Sequence, residues 1–308
     1  MILCCGEALI DMISEPTVSG AQGFVPHTGG AILNTAVAVG RLGVPVGMLT
    51  GLSSDMFGQQ LNDALKASHV DTSHVIVTDR PSTLAFVQLK DGQATYSFVD
   101  ENTAGRMLQP DDMPNQLPAV SALYLGGISL ACEPCADAYA ALLDRHGSER
   151  AVMLDPNIRP DFIKDQTRFR TRLNRMIAQA DIVKVSDEDL DWIIPGAEPE
   201  AAKADLLLQA GPSALIVTRG GDGANGYLAD GIMVSVPVKP VKVVDTIGAG
   251  DTFNAGVLTE LSRAGHLTKP GLQNLTAENF RAAMALGADV AAVTVSRAGA
   301  EPPWAHEL

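Results

Sequence analysis

Val241-Lys242-Val243-Val244-Asp245-Thr246-Ile247-Gly248-Ala249-Gly250-Asp251-Thr252-Phe253-Asn254-Ala255-Gly256 reads as an apolar strand, a turn of small residues and the opening of a helix that runs to about Gly265. A strand that passes through such a turn into a helix is the repeating unit of parallel α/β folds. Working outward, short apolar, β-branched runs recur at 2–10, 46–50, 122–125, 151–154, 182–185 and 214–218, with helical stretches between many of them. The alternation predicts an α/β fold, a doubly wound, mostly parallel sheet whose strands are buried on both faces.

Two places break the rhythm. Runs at 83–89 and 95–99 flank Lys90-Asp91-Gly92-Gln93, and Asp-Gly between alternating runs is a hairpin signal. Asp230-Gly231 joins 226–229 to 232–236 in the same way and predicts an edge hairpin. The segment 12–28 is rich in Gly, Pro, Ser and Thr and follows the first strand where a helix is the norm. With the first hairpin it predicts a small β lid, formed by about 12–28 and 82–100, on one domain spanning 1–308. No repeat or domain-scale linker interrupts the chain.

A hydrophobic content of 46% over 308 residues is ample for a buried core. A formal charge of −14 repels polyanions, so nucleic acid and anionic membrane surfaces are not expected partners, and a phosphate site has to be locally positive. Met1-Ile2-Leu3-Cys4-Cys5-Gly6 lacks the basic stretch and long apolar run of a signal peptide, which makes a cytoplasmic location the expectation. Cys132-Glu133-Pro134-Cys135 is formally a C-x-x-C, but the adjacent Cys4 and Cys5 are a poor second ligand pair, and free structural cysteines are expected. The six histidines show no metal-binding spacing.

The glycines at 248 and 250 let backbone N–H groups approach an anion, and the helix that follows presents its positive end there. Asp251 falls in the first turn of that helix. A carboxylate so placed can accept a hydroxyl proton while the amides of Gly248, Ala249 and Gly250 hold the charge developing on a transferred phosphate. A capped helix behind a glycine turn is the other reading; two aspartates bracketing Gly-Ala-Gly favour the chemical one. No G-x-x-x-x-G-K-[ST] occurs, which excludes a P-loop. Gly221-Asp222-Gly223-Ala224-Asn225-Gly226 fits G-x-G-x-x-G, yet a strand and hairpin follow where a dinucleotide fingerprint needs a helix, so a nicotinamide-dependent oxidoreductase is set aside. Gly29-Gly30 opens a second helix of small residues, close enough for a polyhydroxylated ligand, and Asn34 there offers both a donor and an acceptor. Asp11 ends the first strand, where ligands of open α/β sheets collect. Lys184 follows an apolar run and can supply a point charge to phosphate.

Asp245-Thr246-Ile247-Gly248-Ala249-Gly250-Asp251-Thr252-Phe253 resembles the C-terminal signature of the ribokinase-type, or PfkB-type, carbohydrate kinases. Gly29-Gly30-Ala31-Ile32-Leu33-Asn34-Thr35-Ala36-Val37-Ala38-Val39-Gly40-Arg41-Leu42-Gly43, followed by Gly51-Leu52-Ser53-Ser54-Asp55-Met56-Phe57-Gly58, resembles their N-terminal signature, so the likeness covers essentially the whole chain. It implies a ribokinase-like fold and an ATP-dependent sugar kinase acting on a primary hydroxyl, with Asp251 as base and Gly248, Ala249 and Gly250 as anion hole. It places Asp11, Gly29, Gly30 and Asn34 at substrate hydroxyls, and ATP along Lys184, Ser186, Thr218, Gly220, Gly221 and Gly223. Many members carry Asn-x-x-Glu where this chain has Ser186-Asp187-Glu188-Asp189. The resemblance therefore leaves Asp189 to organise Mg²⁺ through water, an acidic first helical turn being the other reading. A monovalent cation, K⁺, is implied beside the anion hole at Asp245 and Ile247 and in a late loop with Thr294, Arg297 and Gly299, although Pro303 stands where a serine ligand is common.

Asp155-Pro156-Asn157-Ile158-Arg159-Pro160 resembles the D-x-N-x-R-P stretch of fructokinases and 2-keto-3-deoxygluconate kinases. Tyr96-Ser97-Phe98-Val99 with Thr103-Ala104 resembles bacterial fructokinases most. The implied reaction is D-fructose to fructose 6-phosphate, with Arg159 facing the sugar or phosphate and Phe98 covering an apolar sugar face. A surface ion pair and lid core are the other readings of these two side chains. Acceptors such as 2-keto-3-deoxygluconate, ribose or a nucleoside remain alternatives within the family, and an intact Asp251 argues against a non-catalytic sugar-binding module. A small-molecule sugar and ATP are the expected partners, and apolar lid strands are compatible with a homodimer through the lid.

Overall fold

The structure, a computed structural model, describes residues 1–90 and 93–308, with side chains outside 87–96. Among the described residues the largest sheet has nine strands, in the order Met233–Val236, Ala224–Leu228, Ala214–Thr218, Ile182–Ser186, Ala151–Asp155, Ala122–Gly126, Ile2–Cys5, Val46–Leu49 and Val70–Asp71. The pairings are parallel except at one edge, where the hairpin expected at Asp230-Gly231 runs antiparallel. The doubly wound, mostly parallel α/β sheet read from the sequence is thus the observed one.

Side chains alternate across a strand, and here both faces are covered. Cys4, Tyr124, Met153, Ile182 and Ile216 pack into one layer with Ala255, Val257 and Leu258 of the helix Ala249–Arg263. Leu3, Leu125, Leu154, Val183 and Val217 fill the opposite layer with Leu142 and Leu173. Each such burial is worth about 1.5–3 kcal/mol, which is why these strands are continuous apolar runs. The same parity turns Asp155, two residues after Met153, and Lys184, two after Ile182, toward the Ala249–Arg263 helix. That helix crosses Ala277–Val295 at glycines: a Cβ on Gly256 would lie 2.6 Å from Gly287 Cα.

A separate four-stranded sheet has the order Gln22–Gly29, Leu9–Pro16, Leu84–Lys90 and Gln93–Val99. Its first and last pairs are antiparallel and the middle pair is parallel. These strands occupy the two segments expected to form a lid; the Asp91-Gly92 turn itself, and the Tyr96 side chain, lie outside the described residues and side chains.

Three local expectations are corrected. The run 2–10 is two strands in two sheets, broken at Gly6, where a Cβ would lie 2.4 Å from Ile32 Cγ1 of the helix Ala31–Arg41. Asp11 consequently lies inside a strand of the small sheet rather than at the end of a main-sheet strand. The valines at 241, 243 and 244 form no strand: they are exposed, and the backbone is tied to the end of the helix Ala277–Val295, Val244 N donating to Val295 O at 2.8 Å. Apolar periodicity misled there because Val241 and Val243 line a cavity instead of a sheet. All four cysteines are free and buried, and burial pushes the Cys4 and Cys5 thiols far up, which suits a structural role. Among the described residues no helix is long and apolar enough to cross a membrane.

Candidate active site

Gly248 caps the helix Ala249–Arg263 in the left-handed region, at φ 76°, a conformation that costs other residues about 1–2 kcal/mol. A Cβ there would also lie 2.6 Å from Ala300 Cβ. Glycine is therefore required twice over. Amides at the start of a helix lack intrahelical acceptors; here that of Ala249 reaches only Thr246 O, at 3.3 Å. Asp251 follows in the same first turn, with 8% exposure. Asn34 Nδ2 donates to Asp251 Oδ2 at 2.9 Å, and Thr35 Oγ1 donates to the Asp251 carbonyl at 3.0 Å. Asn34, expected to read sugar hydroxyls, thus lies buried against the expected base.

Burial pushes the Asp251 carboxyl up to about 7; the Asn34 bond and the Lys184 charge pull it down, while the Asp155 and Glu7 charges raise it. A carboxyl poised near neutrality is suited to proton transfer. Lys184 is itself buried, its Nζ 3.0 Å from Asp155 Oδ2. A Cβ on Gly250 would lie 3.3 Å from that Nζ, so the ammonium sits against the turn.

On one side of this centre the small sheet brings Asp11 against Gly29, where a Cβ would lie 2.0 Å from Asp11 Oδ2. Burial raises the Asp11 carboxyl to about 6. Gly30, at φ 103°, caps the Ala31–Arg41 helix against Glu7. On the other side opens a cavity of about 380 Å³. Thr218, Gly220, Gly221, Gly223, Ala249 and Gly250 line it, opposite Ala288, Ala292 and Val295. The structure thus brings the expected base, turn, lysine and most of the expected nucleotide residues into one continuous site.

The remaining expected residues are placed as follows. Ser186 Oγ accepts from Asp189 N at 3.0 Å, so that hydroxyl is occupied as a helix cap. Asp189 accepts from Ile158 N at 3.1 Å and from Ser186 N at 3.4 Å, and burial raises its carboxyl. Both oxygens thus hold a backbone partner. Phe98 packs edge-on to Phe162, centroids 4.5 Å apart, and the exposed Arg159 donates to Ile158 O at 3.0 Å. Asp245 Oδ1 accepts from Ile247 N at 3.0 Å and its Oδ2 from Gly299 N at 2.9 Å, which ties the two segments expected at a monovalent cation. Thr294 Oγ1 donates to Val290 O, and the Arg297 side chain pairs with Glu307 at 2.6 Å. Among the described residues no three His, Cys, Asp or Glu side chains cluster as a metal site.

Sequence reading gave no role to Asp155, Tyr124, Thr35, Asn254 or Glu7. Asn254 Nδ2 donates to Asp155 Oδ2 at 2.7 Å and to Tyr124 OH at 2.9 Å. Strand parity was the available signal, since Tyr124, Asp155 and Lys184 all fall on the face beneath the helix that carries Asp251.

The family pattern described as pfkB family carbohydrate kinase matches residues 1–307. A fructokinase of Rhizobium leguminosarum bv. trifolii is 50% identical over 281 residues, 91% of this chain and 86% of the relative. A crystal structure of a fructokinase with bound ATP from Xylella fastidiosa superposes with a TM-score of 0.86 at 30% identity, covering 97% of this chain and 93% of the other. An aminoimidazole riboside kinase from Salmonella enterica, complexed with aminoimidazole riboside and an ATP analog, superposes with a TM-score of 0.82 at 26% identity, over 97% and 94% of the two chains.

Proposed function

We propose, for a chain that belongs to the pfkB family of carbohydrate kinases, that it transfers the γ-phosphate of ATP to the primary hydroxyl of D-fructose, giving fructose 6-phosphate and ADP. The observation that carries this reading is the position of Asp251: buried behind the Gly248–Gly250 amides, between the Asp11–Gly29 contact on one side and the apolar cavity on the other. The cavity takes the nucleotide, with Thr218 and the glycines at 220, 221 and 223 at its rim. Asp11, Gly29, Gly30 and Asn34 hold the sugar, which Phe98 and Arg159 approach from the small sheet and the 155–160 turn.

In this arrangement Asp251 accepts the proton of the attacking hydroxyl, while the turn amides and Lys184 meet the charge on the transferring group. A phosphoryl group in flight is loosely bonded, so positioning and charge matter more than proton abstraction. Mg²⁺ bound with ATP would neutralise phosphate charge, and Asp189 would meet it through water. Carbonyls of Asp245, Ile247, Thr294, Arg297 and Gly299 would hold K⁺, drawn together by the two bonds to the Asp245 carboxylate. Phe24, Val25 and Val99, exposed on the small sheet, support a homodimer through that sheet acting as a lid, and light scattering measures it. A cytoplasmic location is part of the same reading.

ADP release across fructose, 2-keto-3-deoxygluconate, ribose, glucose and adenosine, in potassium and in choline salts, tests the assignment. Fructose is expected to show the highest kcat/KM, with faster turnover in potassium. A higher kcat/KM for another acceptor removes the fructose assignment, and no ADP release on any acceptor removes the kinase one.

A further inference from the structure

We propose that Asp155 is a positioning residue: it holds the Lys184 ammonium against the Gly250 end of the turn, so that a buried positive charge is aimed where the transferring phosphate develops negative charge. The inference rests on the kinase reading of Asp251 and its turn.

Parity brings the two side chains to one face of adjacent strands, and the geometry then leaves the lysine little freedom. Its Nζ lies 3.0 Å from Asp155 Oδ2, and the site of a Gly250 Cβ lies 3.3 Å from the same Nζ. Asp155 is fixed in turn. Its Oδ2 accepts from Asn254 Nδ2 at 2.7 Å, and its Oδ1 accepts from Asn157 N at 3.1 Å. A carboxylate only accepts, so the Asn254 amide has to present its nitrogen. Asn254 sits one turn after Asp251 on the same helix and is steadied by Tyr124 OH at 2.9 Å. Asp155 therefore links the helix of the expected base to the strand of the lysine. A buried ion pair contributes little net stability against apolar replacements, whereas a lysine stem with four rotatable bonds needs a partner to hold one pose. Asp189 and Glu7 face the same cluster with further negative charge, so the ammonium is the group that offsets it next to an anion site.

The test measures kcat and both KM values for Asp155→Asn, Lys184→Met and the double variant, with Asp251→Asn as control. Asp155→Asn is expected to lower kcat about 10- to 100-fold while the sugar KM stays within about twofold. Lys184→Met is expected to lose at least as much, and the double variant to match Lys184→Met within about threefold, because the aspartate acts through the lysine. Wild-type kcat in either single variant, or a double variant in which the two losses multiply, overturns the proposal. Should Asp155→Asn fail to fold, the double variant leaves no lone buried charge and still decides: kcat equal to that of Lys184→Met supports the proposal, and a further loss overturns it. If Asp251→Asn turns over like wild type, the kinase reading itself falls. If Asp251→Asn is inactive and Asp155→Asn is normal, only this inference falls.

Discussion

Replacing Asp251 by Asn separates the chemistry of the site from its cost to the fold. The amide has nearly the same shape and can accept from Asn34 Nδ2 with its oxygen, but it cannot take a proton at neutral pH. Turnover is expected to fall roughly 10²- to 10⁴-fold with the ATP KM little changed. Stability should move the other way. The folded carboxyl titrates near 7, against 3.8 for an unperturbed aspartate, so between these values the folded protein keeps a proton that the unfolded chain has released. The stability associated with that proton is complete below about pH 4 and is lost as pH rises through 7, at about 1.4 kcal/mol per pH unit. The asparagine variant has no such loss. Between pH 5 and pH 7 its advantage over wild type should widen by about 2.3 kcal/mol. With an unfolding entropy of about 2.1 cal/mol/K per residue over 308 residues, that is a Tm gap growing by about 4 °C and levelling above pH 7. Paired thermal melts across this range, alongside coupled ADP assays, check both halves. A Tm gap that is equal at pH 5 and pH 7.5 refutes the burial argument, and near-wild-type turnover refutes the role of base.

Three further outcomes follow from the same geometry. Gly248→Ala places a Cβ at φ 76° and 2.6 Å from Ala300 Cβ, so a loss of about 2–4 kcal/mol in denaturant melts and at least tenfold in kcat is expected; unchanged melts would contradict it. Asn34→Ala removes a bond that lowers the Asp251 pKa, so the acid limb of the kcat profile should move to higher pH, with turnover at pH 6.5 falling about tenfold and that at pH 9 much less. Gly29→Ala displaces the Asp11 carboxylate, 2.0 Å from the new Cβ, and should raise the fructose KM about tenfold while leaving the ATP KM as it was. An equal rise in both KM values would detach Asp11 from the sugar.

Much of the fold was legible because burial on both faces leaves a local mark. Runs such as 151–154 and 214–217 are apolar throughout, and the antiparallel edge at Asp230-Gly231 was announced by its turn chemistry. Where a run serves something other than a sheet, the same mark misleads. Residues 241–244 carry the composition of a strand although Val241 and Val243 wall a cavity, and 2–10 reads as one strand although the chain changes sheet at Gly6, packed close to Ile32 and Ser129.

The site divides along the same line. Order along the chain was enough to propose Asp251 as a base behind a turn of amides, since a glycine turn and a helix start are local structures whose donors follow from the backbone. It was silent on what tunes that base. Asn34 and Asp251 lie 217 positions apart, and Asp155 meets Lys184 across 29, so no spacing rule links them. Their contacts exist because strand parity, sheet order and the packing of one helix over both strands bring distant polar groups into a common buried volume. There, with water excluded, each charge is felt by its neighbours strongly enough to set a pKa and hold a pose. The turn proposed as catalytic is therefore legible in the chain's local order, and its electrostatic environment is a property of the assembled fold.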